Sequence, residues 1–448
     1  MRLTALAFLI AALVLSGPRL ASAAAPPSSP AAADEQAQTA QKGKRKRANR
    51  RQGGHVRAAW PRSKKARAPK NGLARWLAKQ VGSVKVRRRA RAGAAQTGSG
   101  SGTPTGLSTG GDGQLWLVRS FDIPKTDAAY NRLANYSWTY DNALATFAFI
   151  SIGLKPGAEQ LLDQLKALQR ADGSIEFAFD TRTGAAAPYF RSGALAWVGL
   201  AATAYRRKYD SERYDALIGG LLKYLLGLRT SAGLVRGGPD VSWVSTQHNL
   251  LTVGFLRDLA DQMSSRETIG GFSRSSLDSI QSTMGSAVLS RLLVQESSTS
   301  AYFKQGIDDA QVPLDVQALG AIYLKLRGDA RAAHVANAIT AKFYTPARGT
   351  GTIAGYRPFF STGAPDVVWS EGTIEASLAF SRLGIANPAA DAAVAGIAAT
   401  VKGSITGPIG ADRDVISPVW GEYHTWPASA AASWLLIRLS GQQLLFVD

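Results

Sequence analysis

The chain has 448 residues, 45% of them hydrophobic, and carries a formal net charge of +20. That length is enough for one large domain or two ordinary ones. It contains no cysteine, which rules out disulfides and any Cys-ligated zinc.

In chain order, the first residues read as a secretory signal. Arg2 opens it, an apolar run extends from Leu3 to Leu15, and Ala21-Ser22-Ala23 offers a small-residue cleavage site. The run is shorter than the roughly 20 residues a spanning helix takes. Cleavage near Ala23 and a periplasmic or extracellular location are expected, an uncleaved anchor being the alternative. Residues 24–113 read as a basic, low-complexity tail. From Lys42 to Arg91 there are 20 Lys and Arg and no Asp or Glu, whereas from position 92 onward 30 basic residues face 30 acidic ones. Such a segment lacks the apolar content to offset ordering entropy, so disorder is expected, with a helical patch around Leu73 to Val81. Export favours an anionic envelope polymer or lipid surface as its partner over nucleic acid. Gly98 to Gly113 reads as a joint.

From residue 114 the texture becomes helical. The spacing predicts helices at Tyr140–Ile152, Pro156–Arg170, Arg191–Tyr209 and Ser211–Leu228. Further pairs follow at Gln247–Met263 with Arg274–Leu293, Pro313–Leu326 with Asp329–Phe343, and Glu371–Leu383 with Pro388–Val401. A last helix is predicted at Ala428–Leu439. The first members open at Asp141, Ser192, His248, Asp315, Glu371 and Ala428, with gaps of 51, 56, 67, 56 and 57 residues. A period of that size marks a repeat architecture. The expected fold is all-α: an (α/α)6 toroid of six helical hairpins over residues 114–448. Its inner helices are rich in Ala, Gly and Ser, and residues around Pro124 to Tyr136 would complete the last hairpin.

In such a ring the inner-helix starts share one end. That end collects Trp138-Thr139-Tyr140-Asp141, Arg191-Ser192, Gln247-His248-Asn249, Asp315-Val316-Gln317, Trp369-Ser370-Glu371 and His424-Thr425-Trp426. Indole and phenol rings meet the apolar faces of pyranoses, while carboxyl, amide, guanidinium and imidazole groups bond their hydroxyls. An oligo- or polysaccharide is therefore the expected partner. Two carboxyls flanking one bond suffice for glycoside cleavage. No metal-ligand spacing is present, and no metal or cofactor is expected.

The stretches Trp138-Thr-Tyr-Asp-Asn-Ala-Leu, Thr246-Gln-His-Asn, Leu314-Asp-Val-Gln-Ala-Leu-Gly and Trp369-Ser-Glu-Gly-Thr resemble those of the six-hairpin glycosidase superfamily. The resemblance implies an inner-helix Asp or Glu as acid or base and points to Glu371 and Asp141, either of which could be the proton donor. Trp138, Tyr140, Trp369 and Trp426 would stack on sugar rings. Arg191, Gln247, His248, Asn249, Asp315, Gln317 and His424 would hold hydroxyls. A glycoside hydrolase is the first expectation. A polysaccharide lyase using Tyr140, His248, Asn249 and Arg191 is the first rival. A non-catalytic glycan-binding protein of the envelope is the second.

Overall fold

The structure is a computed structural model and describes residues 64–85, 114–349, 353–443 and 446. The expected signal sequence and most of the basic stretch lie outside those residues. Among the described residues, six inner helices run through the domain: α3 (Thr139–Ile152), α5 (Ser192–Tyr209), α7 (Thr246–Ala260), α9 (Leu314–Leu326), α11 (Ser370–Leu383) and α13 (Ser429–Ser440). Five outer helices alternate with them: α4 (Lys155–Leu168), α6 (Asp215–Gly227), α8 (Arg274–Leu292), α10 (Arg331–Phe343) and α12 (Pro388–Ala399). Each inner helix packs on the next, and α13 packs back on α3, so the ring is closed. No described helix is long and apolar enough to cross a membrane.

Burial explains the two helix types. Every residue of α3 from Thr139 to Ser151 is buried, as expected for a helix surrounded by other helices. In α4 the buried apolar positions are Ala158, Leu161, Leu162, Leu165 and Leu168, the single stripe of an amphipathic helix.

The closure has a hydrogen-bond signature. The first N–H of each inner helix donates to a carbonyl just upstream of the next inner helix. The six bonds are Thr139 to Phe177 (2.9 Å), Ser192 to Gly237 (2.9 Å), Thr246 to Gln305 (2.8 Å), Leu314 to Pro358 (2.9 Å), Ser370 to Gly410 (3.0 Å) and Ser429 to Ser120 (2.9 Å). A helix's first N–H groups lack intrahelical partners. Here they join neighbours around the ring, and the last bond returns to the segment before α3.

The fourth residue of four inner helices does a different job. Asn142 accepts from Val118 N–H, and Asn249 bonds both N–H and carbonyl of Val235. Gln317 bonds both groups of Phe303, and the Thr373 hydroxyl does the same at Tyr356. Each side chain thus holds the strand or loop that feeds its own helix.

The sixth outer position departs from expectation. It is filled by α1 (Lys64–Gln80), which packs on α13. Residues 124–136, expected there, hold the short α2 (Tyr130–Leu133), whose Leu133 packs with Trp426, and the first residue of a strand, Tyr136, opposite Asp180. The helical patch foreseen at Leu73–Val81 is therefore longer, and it is docked. Leu73, Trp76 and Leu77 are buried. Strand Val81–Lys85 pairs antiparallel with Gln114–Val118, Val81 opposite Val118. The folded unit thus takes in residues 64–85, upstream of the boundary expected at 114. The approach is close. A Cβ on Gly72 would lie 2.8 Å from the Gly403 backbone, and one on Gly407 would lie 2.6 Å from the Trp76 ring.

Candidate active site at the inner-helix starts

The second residues of the inner helices are Tyr140, Gly193, Gln247, Asp315, Glu371 and Ala430. All six line one of two adjoining lobes at the mouth of the ring. The second and fourth residues of a helix are about 200° apart at 3.6 residues per turn. Hence one set faces the axis while the other holds the loops. The two lobes share Trp369 and Glu371 and leave about 10 and 40 Å³ for the centres of water-sized molecules.

Glu371 is the centre of this arrangement. The Tyr140 hydroxyl donates to its Oε1, and the Trp434 indole N–H donates to the Tyr140 hydroxyl at 3.0 Å. Burial, then the Asp141 and Asp315 charges, push the Glu371 carboxyl up to about 8, against the Tyr140 bond, which favours ionisation. Burial raises Asp141 to about 7, the Ser120 hydroxyl opposing it. Asp141 lines the larger lobe, and its Oδ1 has no hydrogen-bond partner. Beside it, the Trp138 indole N–H is also without a partner. Unpaired buried polar atoms in a cleft mark places where a ligand's polar atoms fit. Asp315, in the smaller lobe, is raised by burial to about 6. Its own backbone N–H, that of Val316, and Gln247, whose amide donates to Oδ2 at 2.5 Å, restrain the rise.

The larger lobe also receives Glu422, Tyr423 and His424. His424 lies 3.3 Å from the Glu422 carboxylate and stacks flat on Trp426, ring centres 3.6 Å apart. Trp426 itself is buried and donates to Asp127 at 2.8 Å. It supports His424 and does not line either lobe.

Four expected hydroxyl-holding residues are committed elsewhere. Asn249 and Gln317 spend their amides on backbone groups, as described above. Arg191 pairs with Asp240 at 2.9 Å and donates to the Phe190 carbonyl. His248 is buried beside Arg191, its Nδ1 2.9 Å from the Ser192 hydroxyl. A Cβ on Gly193 would lie 2.4 Å from the His248 ring, so glycine there admits the imidazole between helices. Burial and Arg191 hold His248 down to about 3. The unfolded chain therefore binds the extra proton between pH 6.5 and 3, and the stability contributed by neutral His248 is lost as pH falls through that window. Its imidazole resonances should show no titration between pH 8 and 5 by NMR. A midpoint near 6.5 would contradict the buried placement.

Sequence reasoning missed the next layer down the axis. Four residues beyond Gly193, Glu371 and Ala430 lie Trp197, Glu375 and Trp434, all buried. Trp197 closes the smaller lobe, and the Tyr140 and Trp434 rings pack against it with centres 5.5 and 5.6 Å away. The i, i+4 relation was the available signal.

No family model matches the sequence, and no curated protein does. Solved structures do match in shape. A novel alpha-amylase from Clostridium perfringens aligns with 86% of this chain and 100% of its own at TM-score 0.57 and 10% identity. A wild-type glycosidase aligns with 86% and 99% at TM-score 0.55 and 14% identity. A D-mannose isomerase aligns with 86% and 99% at TM-score 0.54 and 10% identity. The shared feature is the (α/α)6 fold.

Proposed function

We propose that this (α/α)6-toroid protein is a glycoside hydrolase acting on a neutral oligo- or polysaccharide. One observation carries the reading: a buried carboxyl, Glu371, raised to about 8, sits between two lobes beside a second carboxyl with an unpartnered oxygen. Glu371 keeps its proton at neutral pH and can give it to the leaving oxygen. Asp141, raised only to about 7, is the group that ionises first and activates water or attacks the anomeric carbon. Asp315 suits the second role less, because Gln247 and two backbone N–H groups already occupy its oxygens. Trp369 and Trp138 offer ring faces, and the free Trp138 N–H offers a donor. A glycosidase of the same fold in complex with glucose (TM-score 0.54, 14% identity) adds support for a sugar in such a funnel.

The charge of the floor bears on substrate and on the lyase alternative. Among the described residues lining the two lobes there is no Lys or Arg. Lyase chemistry needs a cation or amide to neutralise a uronate, and those in the lobes are already engaged, His424 beside Glu422 and the Gln247 amide on Asp315. Arg191, His248 and Asn249, which would have served, are engaged away from the lobes. With Arg2, the apolar run and Ala21-Ser22-Ala23, export to the periplasm or cell exterior completes the proposal.

The test is release of reducing ends from neutral glycans across pH. The expected kcat/KM profile rises as Asp141 ionises near 7 and falls as Glu371 deprotonates near 8. Binding without cleavage would leave a glycan-binding protein, and isomerised sugar without new reducing ends would replace hydrolysis with isomerisation.

A further inference from the structure

A second cavity reaches the axis from the opposite end of the ring. It leaves about 80 Å³ for the centres of water-sized molecules. Exposed Ser381, Gly441, Gln442 and Gln443 border its outer end, and buried Glu375 and Trp434 border its inner end. A water needs roughly 10–15 Å³ of such space, so several waters fit. Glu375 lies one helical turn beyond Glu371 on α11, where side chains four apart stand about 5–6 Å from each other at Cβ. Among the described residues, no hydrogen bond or ion pair to the Glu375 carboxyl is present, although only 4% of the residue is exposed. The groups around it are Glu371 on its own helix, Asp315 from α9, and Trp434 and Arg438 from α13. Arg438 bonds Ser377 and Asp391, and Arg382 bonds the Phe446 carbonyl. Burial and the charges of Glu371 and Asp315 hold the Glu375 proton far above the ordinary carboxyl range. Trp434 belongs to both sides, lining the rear cavity and donating to Tyr140, which in turn donates to Glu371.

We propose that Glu375 is a proton relay between this rear cavity and Glu371, resetting the acid while product still fills the front lobes. The inference rests on Glu371 being the proton donor. In each turnover the Glu371 O–H bond breaks and its proton goes to the leaving oxygen. The attacking water gives its own proton to Asp141. Glu375 then passes its proton to the Glu371 carboxylate and takes another from a water of the rear cavity. The hydroxide so formed is neutralised by the proton that Asp141 releases to solvent, so the count closes. A wet rear channel matters because glycan in the funnel covers Glu371 from the front.

The relay acts after bond cleavage, which separates two kinetic constants. Glu375→Gln should leave kcat/KM unchanged and lower kcat about tenfold, less than the 10²–10⁴-fold of a direct general acid, because water can still return a proton to Glu371. Added formate or imidazole, small enough to enter the rear cavity, should restore kcat in this variant. Leu378→Trp, which fills the cavity and keeps the Glu375 carboxyl, should show the same split and no rescue. The substrate is the fastest-cleaved member of a panel of maltohexaose, cellohexaose, mannohexaose and xylohexaose. Full kcat in Glu375→Gln, or equal losses in kcat and kcat/KM without rescue, overturns the relay. Glu371→Gln separates that from failure of the acid assignment. If that variant keeps wild-type kcat/KM, or if no glycan is cleaved by the wild type, the parent reading goes too.

Discussion

Glu371→Gln is expected to lower kcat/KM by about 10²–10⁴-fold, the usual weight of a general acid, while leaving the fold intact. The amide preserves shape and can still accept from the Tyr140 hydroxyl, as Oε1 does in the native chain. What it loses is the proton that the leaving oxygen needs. Asp141→Asn should cost a comparable factor, because it removes the partner carboxyl from the larger lobe. The loss in Glu371→Gln should shrink on a substrate whose leaving group needs no protonation, such as a dinitrophenyl glycoside, whereas that in Asp141→Asn should not. Reversed sensitivity would exchange the two roles.

The same substitution should stabilise the protein in alkali. Glu371 titrates near 4.5 when unfolded and near 8 when folded. The native state holds its proton more tightly, so stability is fully present below about 4.5 and falls as pH rises through 8. Each tenfold difference in proton affinity between the two states is worth roughly 1.4 kcal/mol, so charging this buried group costs several kcal/mol at high pH. Glu371→Gln abolishes that cost. Its melting temperature should exceed the wild type's by several degrees at pH 9 and converge with it at pH 4. An inactive variant that is more stable is the mark of a group kept for chemistry and not for packing.

The fold was largely legible. The ends predicted at Ile152 and Leu383, each followed in the structure by a glycine with positive φ, and the start predicted at Pro388 agree with those observed. Asp141, Asp315 and Glu371 were visible as candidates because they open inner helices beside aromatic and polar residues, although a carboxylate in a first turn also complements the helix dipole. The loss came at finer resolution. Axis-facing and loop-holding positions are two residues apart. Sequence texture does not tell Gln247, which reaches the pocket, from Asn249, which holds Val235. Trp197, Glu375 and Trp434 were hidden differently. They lie inside helices that read as core throughout, and only the relation to a known axis residue four positions earlier reveals them. Helix α1 was masked by charge. Leu73, Trp76 and Leu77 have the 3–4 spacing of a buried stripe, but Lys and Arg on both sides gave the segment the look of a solvated tail.

That helix yields the last large effect. A chain beginning at residue 114 should fail to form the closed ring. It would lose Leu73, Trp76 and Leu77, each worth about 1.5–3 kcal/mol on burial, together with the strand pairing at Val81–Lys85. That sum, on the order of 5–9 kcal/mol, matches the whole stability of a typical domain, about 5–15 kcal/mol. It would also bare the face of α13 that α1 covers, a fresh apolar surface at a ring seam. Trp76→Ala in the full chain tests the same contact more gently. Its ring fills the space above Gly407, with Lys79 bonding the Ser404 carbonyl beside it, so truncation should cost about 3–5 kcal/mol by chemical denaturation. The decisive version separates covalent linkage from packing. With a protease site engineered between residues 86 and 113, cleavage should leave the fragment carrying α1 bound and the melting temperature nearly unchanged. Release of that fragment with the toroid still folded would show that α1 decorates a ring already complete without it.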